Sequence, residues 1–242
     1  MKNQKIKEFY NDLVDGSTYE KDFEFNRWFI RARNRAEYAM TYLTIKQHTK
    51  GISFTSCLEV GPGPGTWTRL LYRVNQNAAF DLVDITEAMR KQFKLEMRSS
   101  PNVTYHVADI MDYQDAQPYD LFFSSRAIEY FDDKPAFFVK LQSLVAINGK
   151  GVLITKNPFH GIRKDKRTAH QGQISMSEMK KMLEENGFVE VKFYPAVVRI
   201  PIISRFTSEL SEYLHEKCLN KELNITKTNR VVESYLVSFK KV

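Results

Sequence analysis

The stretch "LEVGPGPGTW", residues 58–67, decides how this chain folds. Three of only ten glycines, Gly61, Gly63 and Gly65, fall within five residues, alternating with Pro62 and Pro64. They follow the apolar run "FTSCLEV" (54–60), which reads as a strand, and precede a helical period from Thr66 to Val74. A glycine turn from strand into helix lets backbone N–H groups and the helix N-terminus approach a ligand that side chains would block. The prolines fix φ and stiffen the loop. The bland alternative is a tight turn with no ligand, and alternating glycines in a glycine-poor chain weigh against it.

Outward from this loop, short apolar runs alternate with longer helical periods. "AFDLVD" (79–84), "NVTYHVAD" (102–109), "YDLFFSS" (119–125) and "GVLITK" (151–156) read as strands, with helices over 86–98 and 134–146. Such alternation implies right-handed crossovers and a parallel sheet covered on both faces. Ser175 opens a capping box with Glu178, and its helix stops at Gly187. "FVEVKFY" (188–194) and "SYLVSFKKV" (234–242) are two further strands, separated by an amphipathic helix near 207–219, and suggest an antiparallel hairpin at the sheet edge. The expected fold is α/β: a doubly wound seven-stranded sheet, mostly parallel. Residues 1–50 form a helical cap, and 51–242 form the main domain with insertions near 157–174 and 195–230.

The 242 residues suffice for one full core, and 43% hydrophobic with 27% charged residues excludes wholesale disorder. Cys57 and Cys218 make neither a disulfide framework nor a metal-site spacing, so a reduced, cytoplasmic protein without metal is expected. No apolar core of a signal peptide follows Met1, and no segment has membrane-spanning length. The formal charge of +7 points weakly to an anionic partner without choosing among nucleic acid, metabolite and membrane.

Two acids strengthen the ligand reading of the loop. Asp84 ends the second strand, where an acid accepts from ribose hydroxyls, and Asp109 ends the third, at the same carboxyl edge. "LEVGPGPGTW", "LVDIT" and "VADI", in this order, resemble the motifs of class I S-adenosylmethionine-dependent methyltransferases, a Rossmann-like family. The resemblance covers residues 53–194, and the family's closing hairpin suits 188–242. It implies S-adenosyl-L-methionine as cofactor. Glu59, Gly61, Gly63 and Gly65 would then line the methionyl side, and Asp84 would hold the ribose with Ile85 against the adenine. Asp109 would accept from the adenine amino group beside Ile110, and Ser125 and Arg126 would lie under the sulfonium. The rival is a nicotinamide-dependent oxidoreductase, but its third fingerprint glycine would fall at Thr66.

For the acceptor, the segment after the fourth strand reads "SSRAIEYF" and lacks the [DN]-P-P-[YF] motif of base amino-methyltransferases, while neither cysteine follows a proline. DNA is therefore excluded as a partner. The loop "KNPFHGIRKDKRTAHQGQ" (156–173) carries two histidines and five basic residues, which suits a phosphate- or carboxylate-bearing acceptor; a solvated loop is its plain alternative. His160 is the candidate general base, with Glu129 and Arg126 orienting the acceptor, and His48, His106 and His215 are expected to be structural. Arg27, Arg31 and Arg35 are expected on one face of an N-terminal helix, forming either a cap over the site or a plain surface stripe. Tyr10 and Tyr19 are lid aromatics, Tyr19 counted with the cofactor-binding set. The C-terminal part resembles enzymes that modify sugars or lipid-linked glycans. Ile200, Ile202, Ile203, Phe206, Leu210, Tyr213 and Leu214 give an apolar stripe for core packing or for peripheral membrane contact. The expected function is methyl transfer to a small-molecule or glycan-linked acceptor at oxygen. An RNA-directed enzyme, disfavoured because no RNA-binding module is appended, and a non-catalytic cofactor-binding scaffold are the alternatives.

Overall fold

The computed structural model describes residues 2–15, 22–93, 100–114, 117–160, 172–200 and 207–242. Seven strands form one sheet: β1 Ser56–Val60, β2 Ala79–Asp84, β3 Val103–Val107, β4 Tyr119–Ser125, β5 Val145–Lys156, β6 Phe188–Val198 and β7 Val232–Lys241. Their order is β3-β2-β1-β4-β5-β7-β6. The first five run parallel, while β7 is antiparallel to both β5 and β6. The expected terminal hairpin is therefore present, with its second strand inserted between β5 and β6.

The central strands read as unbroken apolar runs because both their faces are covered. Leu58, Phe122, Leu153 and Tyr235 are buried toward one layer, with Phe137 and Leu183 from the helices. Cys57, Leu82, Phe123 and Leu236 are buried toward the other. The helices are α1 Lys2–Asp15, α2 Phe23–Trp28, α3 Ala32–Thr49, α4 Thr68–Val74, α5 Glu87–Gln92, α6 Lys134–Leu144, α7 Met176–Glu185 and α8 Glu209–Cys218. The capping box is made as its sequence predicts: Ser175 Oγ accepts from Glu178 N at 3.2 Å, and Ser175 N donates to Glu178 Oε2 at 3.0 Å. None of the described helices is long and apolar enough to cross a membrane.

Three local expectations differ. The N-terminal helix breaks at Phe29–Arg31, where Arg31 is extended, so Arg27 belongs to α2 and Arg35 to α3 rather than to one face. Arg35 Nη1 serves the break by donating to the carbonyls of Phe29 and Ile30 at 2.8 and 3.2 Å. β5 begins at Val145, directly at the end of α6, rather than at Gly151, and Asn148 lies within it at φ +65°. On α8, Ser211 and His215 are the buried face, and Leu210, Tyr213 and Leu214 are exposed; Ile202, Ile203 and Phe206 of the same stripe lie outside the described residues.

α8 is anchored through a buried imidazole. His215 Nε2 lies 2.9 Å from Thr44 Oγ1 of α3, and Nδ1 has no partner among the described residues. The Thr44 hydroxyl also reaches Met40 O at 2.9 Å and Pro195 O at 3.3 Å, which fixes it against the imidazole. Burial pushes this histidine down to about 4. The folded state thus resists protonation that the unfolded chain accepts near 6.5, so stability is full above that pH and falls as pH drops toward 4, by up to about 3 kcal/mol. His215→Gln should flatten this slope: melting temperatures followed from pH 7 to 4 should show a smaller decline than in the wild type.

Candidate active site

The carboxyl ends of β1, β2 and β4 open into one cavity with an empty volume of about 1190 Å³, its open mouth included. Its first lobe is built by the glycine loop. Gly61 N donates to Val83 O at 2.9 Å and Gly63 N to Asp84 Oδ2 at 3.1 Å, while Gly63 O accepts from Tyr105 Oη at 3.1 Å. Gly61, Gly63 and Gly65 all have positive φ, and a Cβ on Gly61 would lie 2.8 Å from Ala127 Cβ. Glycine is needed there both for the backbone and for the space. The other oxygen of Asp84 accepts from Thr86 N and Oγ1, each at 3.0 Å. Burial raises this carboxyl above its ordinary value, against the hydrogen bonds from Thr86 and Gly63. Asp109 Oδ1 accepts from Met111 N at 3.0 Å. Ile85 and Ile110 line the same lobe.

The rest of the same lining, termed the second lobe, comes from the N-terminal helices and the ends of β5, β6 and β7. Trp28, Glu37, Thr41, Ile154, Val197 and Ser234 form its walls. Trp28 meets Trp67 at 5.8 Å between ring centroids, and Trp67 stacks on Tyr38 at 5.3 Å, which docks α2 and α3 beside the loop. Glu24 and Arg69 form an ion pair between α2 and α4. Two tyrosines of the lining, Tyr10 of α1 and Tyr130, meet through their Oη atoms at 2.7 Å.

Arg126 joins the two lobes. It follows β4 with φ +67°, its N–H donating to Ile154 O at 2.8 Å. Its Nε donates to Glu129 Oε1 at 2.7 Å and its Nη1 to Glu37 Oε1 at 3.5 Å. Glu129 is fully buried, and the same Oε1 also accepts from Lys156 N at 2.8 Å and Thr155 Oγ1 at 3.2 Å. Glu37 continues to Arg199 Nη2 at 3.3 Å, and Arg199 pairs with Glu233. Burial works against the charge of Arg126, but Glu129 and Glu37 outweigh it and hold the guanidinium above its ordinary value.

Of the residues singled out in the sequence, Gly61, Gly63, Asp84, Ile85, Asp109, Ile110, Ser125 and Arg126 share this cavity. Glu59 does not line it. The side chain is sealed beneath the loop, Oε2 has no partner among the described residues, and burial pushes the carboxyl up to about 8. Gly65 turns toward Phe93, whose ring would lie 2.6 Å from a Cβ there. Glu129 acts behind the wall, on Arg126 and β5. His160 is outside the lining as well: its Nδ1 meets Arg230 O at 2.9 Å, and burial lowers its pKa. Tyr19, and residues 161–171 of the basic loop with His170, lie outside the described residues.

Glu37, Tyr130, Arg199, Glu233 and Ser234 were not anticipated. A signal for two of them existed, since Arg199 and Glu233 are charges set in the apolar runs "AVVRIP" and "RVVESYLV". A buried charge of this kind requires an opposite partner.

Residues 57–149 match the methyltransferase domain family. The malonyl-[acyl-carrier protein] O-methyltransferase 1 of Ilyobacter polytropus is 36% identical over 93 residues, covering 38% of this chain and 35% of that protein. The trans-aconitate 2-methyltransferase of Yersinia pseudotuberculosis is 31% identical over 100 residues, 41% of this chain and 37% of its own. The chain thus spans little more than a third of the length of these relatives. Neither is named for a glycan acceptor, so the resemblance to glycan-modifying enzymes gains no support from them. A solved structure from Thermotoga maritima, described as a SAM-dependent methyltransferase, superposes over 100% of both chains with a TM-score of 0.67 at 14% identity, which establishes the common fold.

Removing the carboxylate of Glu129 would leave the Arg126 guanidinium without its closest counter-charge and free Lys156 N. Glu129→Ala should cost about 3–5 kcal/mol, as expected for one half of a buried pair, read as a lower urea midpoint.

Proposed function

We propose that this chain is an S-adenosyl-L-methionine-dependent methyltransferase acting at an oxygen of a small acidic acceptor. The observation that carries the reading is the bare main chain from Gly61 to Gly63, tied to Asp84, with Asp109 at the same sheet edge and a second, arginine-bearing lobe adjoining it. The residues fit the cofactor. The glycines leave room for its methionyl part, Asp84 and Asp109 offer acceptors to sugar hydroxyls and an exocyclic amine, and Ile85 and Ile110 offer apolar faces to a purine. When bound, the cofactor supplies a methyl group on a positively charged sulfur.

Transfer needs the acceptor oxygen in line with that carbon and sulfur, and water kept out. Trp28, Ile154 and Val197 give the second lobe its apolar wall, and the joined Tyr10 and Tyr130 belong to the same lining. A carboxylate oxygen is already deprotonated at neutral pH and needs alignment more than a base. The cavity supplies cations for it in Arg27 and Arg126. The acidic acceptors named for the two relatives, malonyl-carrier protein and trans-aconitate, agree with this choice.

Two measurements test it. Calorimetry with S-adenosylhomocysteine should show saturable binding, weakened at least about tenfold in Asp84→Asn because charged acceptors contribute about 1.5–3 kcal/mol. Incubation with methyl-labelled donor and a panel of small carboxylic acids should yield an ester that releases labelled methanol in mild alkali. An alkali-stable labelled product would overturn the acid acceptor, and no heat with S-adenosylhomocysteine would overturn the cofactor.

A further inference from the structure

Glu59 is 1% exposed and lies beneath the glycine loop, with only Val60 between it and the turn at Gly61. Its Oε2 makes no hydrogen bond among the described residues, and neither does Oγ1 of Thr68, the α4 hydroxyl that favours its charged form. Burying a carboxylate without a partner is costly, so the proton stays on. The neighbouring acid is held in the opposite way. Asp84 accepts from Gly63 N at 3.1 Å and from Thr86 N and Oγ1 at 3.0 Å each. Of the two carboxyls at this loop, one has the donors to carry charge and the other lacks them.

Burial pushes Glu59 up to about 8; Thr68 and Arg69 oppose the rise, and Asp84 adds to it. Arg69 of α4 is engaged by Glu24 of α2. The other titratable groups that face Glu59, Tyr105 of β3 and Cys57 of β1, are raised by burial and stay neutral. Among the described residues no cation pairs with Glu59, so the charge that would let it ionise has to come with a ligand. A cation at the loop offsets the repulsion from Asp84 and draws the proton off, whereas a neutral group does not. The methyl donor and its spent product differ by one positive charge, on the sulfur.

We propose that Glu59 is a specificity-determining residue that reads this charge: it holds its proton while the loop is empty or meets the neutral thioether product, and releases it to solvent when a sulfonium binds. The ionised carboxylate then attracts the donor through the loop without touching it, and the site prefers donor to product. The inference rests on the cofactor reading above and adds the residue that tells the two forms apart.

Calorimetry without any acceptor measures both affinities. From about pH 6.5 to about pH 9, the wild-type preference for S-adenosylmethionine over S-adenosylhomocysteine should rise about tenfold. In Glu59→Gln, which has the shape of the neutral acid, it should change by less than about twofold. Comparing the two proteins cancels any titration of the ligands themselves. Proton release by the wild type alone gives a second reading that needs no variant. Heats measured near pH 7 in two buffers of different ionisation enthalpy should show S-adenosylmethionine releasing a larger fraction of a proton than S-adenosylhomocysteine does. Equal proton release by the two ligands, or the same pH dependence of the preference in both proteins, would overturn the proposal. Absence of heat with either ligand in the wild type would instead overturn the cofactor reading, so the two failures are told apart.

Discussion

The carboxylate of Asp84 fastens three elements that would otherwise separate. It ends β2, accepts from Gly63 in the loop after β1, and accepts twice from Thr86 at the start of α5. A loop of alternating glycines and prolines has few side-chain contacts of its own, and the freedom that allows its positive φ values also makes it costly to order. The bond to Asp84, with those of Gly61 N to Val83 O and of Tyr105 Oη to Gly63 O, fixes the loop from the neighbouring strands. The same acid lines the cavity, so the group that shapes the loop also forms part of the wall beside it.

A second constraint ties the N-terminal helices to the far half of the sheet. Glu37 of α3 bridges Arg126 after β4 and Arg199 after β6, and Arg199 pairs with Glu233 of β7. Chains of buried ion pairs contribute little net stability compared with apolar packing. Their geometric demand is strict, however, and here it sets the spacing between α3 and the strand ends. Apolar docking through Trp28, Tyr38 and Trp67 brings the helices near the sheet. The ion pairs then decide their register.

These two constraints differ in how far they are legible in sequence. The first is local. Strand, glycine turn and acid recur within about 25 residues of one another, and the period-two and period-3.6 patterns around them are strong. The parallel strands and the terminal antiparallel pair follow from the same patterns, whereas the strand order does not. The second is not local, because Glu37, Arg126, Arg199 and Glu233 are joined only after the chain has folded. His160 illustrates the difference. Its position in a basic loop after the fifth strand suggested a base, yet proximity in sequence to a strand end does not determine the direction of a side chain, and Arg230 O holds this one away from the cavity lining. The break between α2 and α3 was hidden for a similar reason. A run of arginines at helical spacing gives no sign that Arg35 will be spent on the carbonyls of Phe29 and Ile30.

The same division accounts for what is shared with other proteins and what is not. The matched domain covers residues 57–149, which contain the glycine loop, Asp84, Asp109 and Arg126. Trp28, Glu37, Thr41, Ile154, Val197 and Ser234, which wall the second lobe, all lie outside that span. A cofactor presents the same atoms to every protein that binds it, so the backbone geometry that receives it tolerates little change. An acceptor differs from one enzyme to the next, and the lining assigned to it under the proposed reading comes from segments on either side of the matched span, where substitutions leave the loop and its acids undisturbed. On the proposed reading, selectivity would rest on side chains that are distant in sequence and come together only in the folded chain.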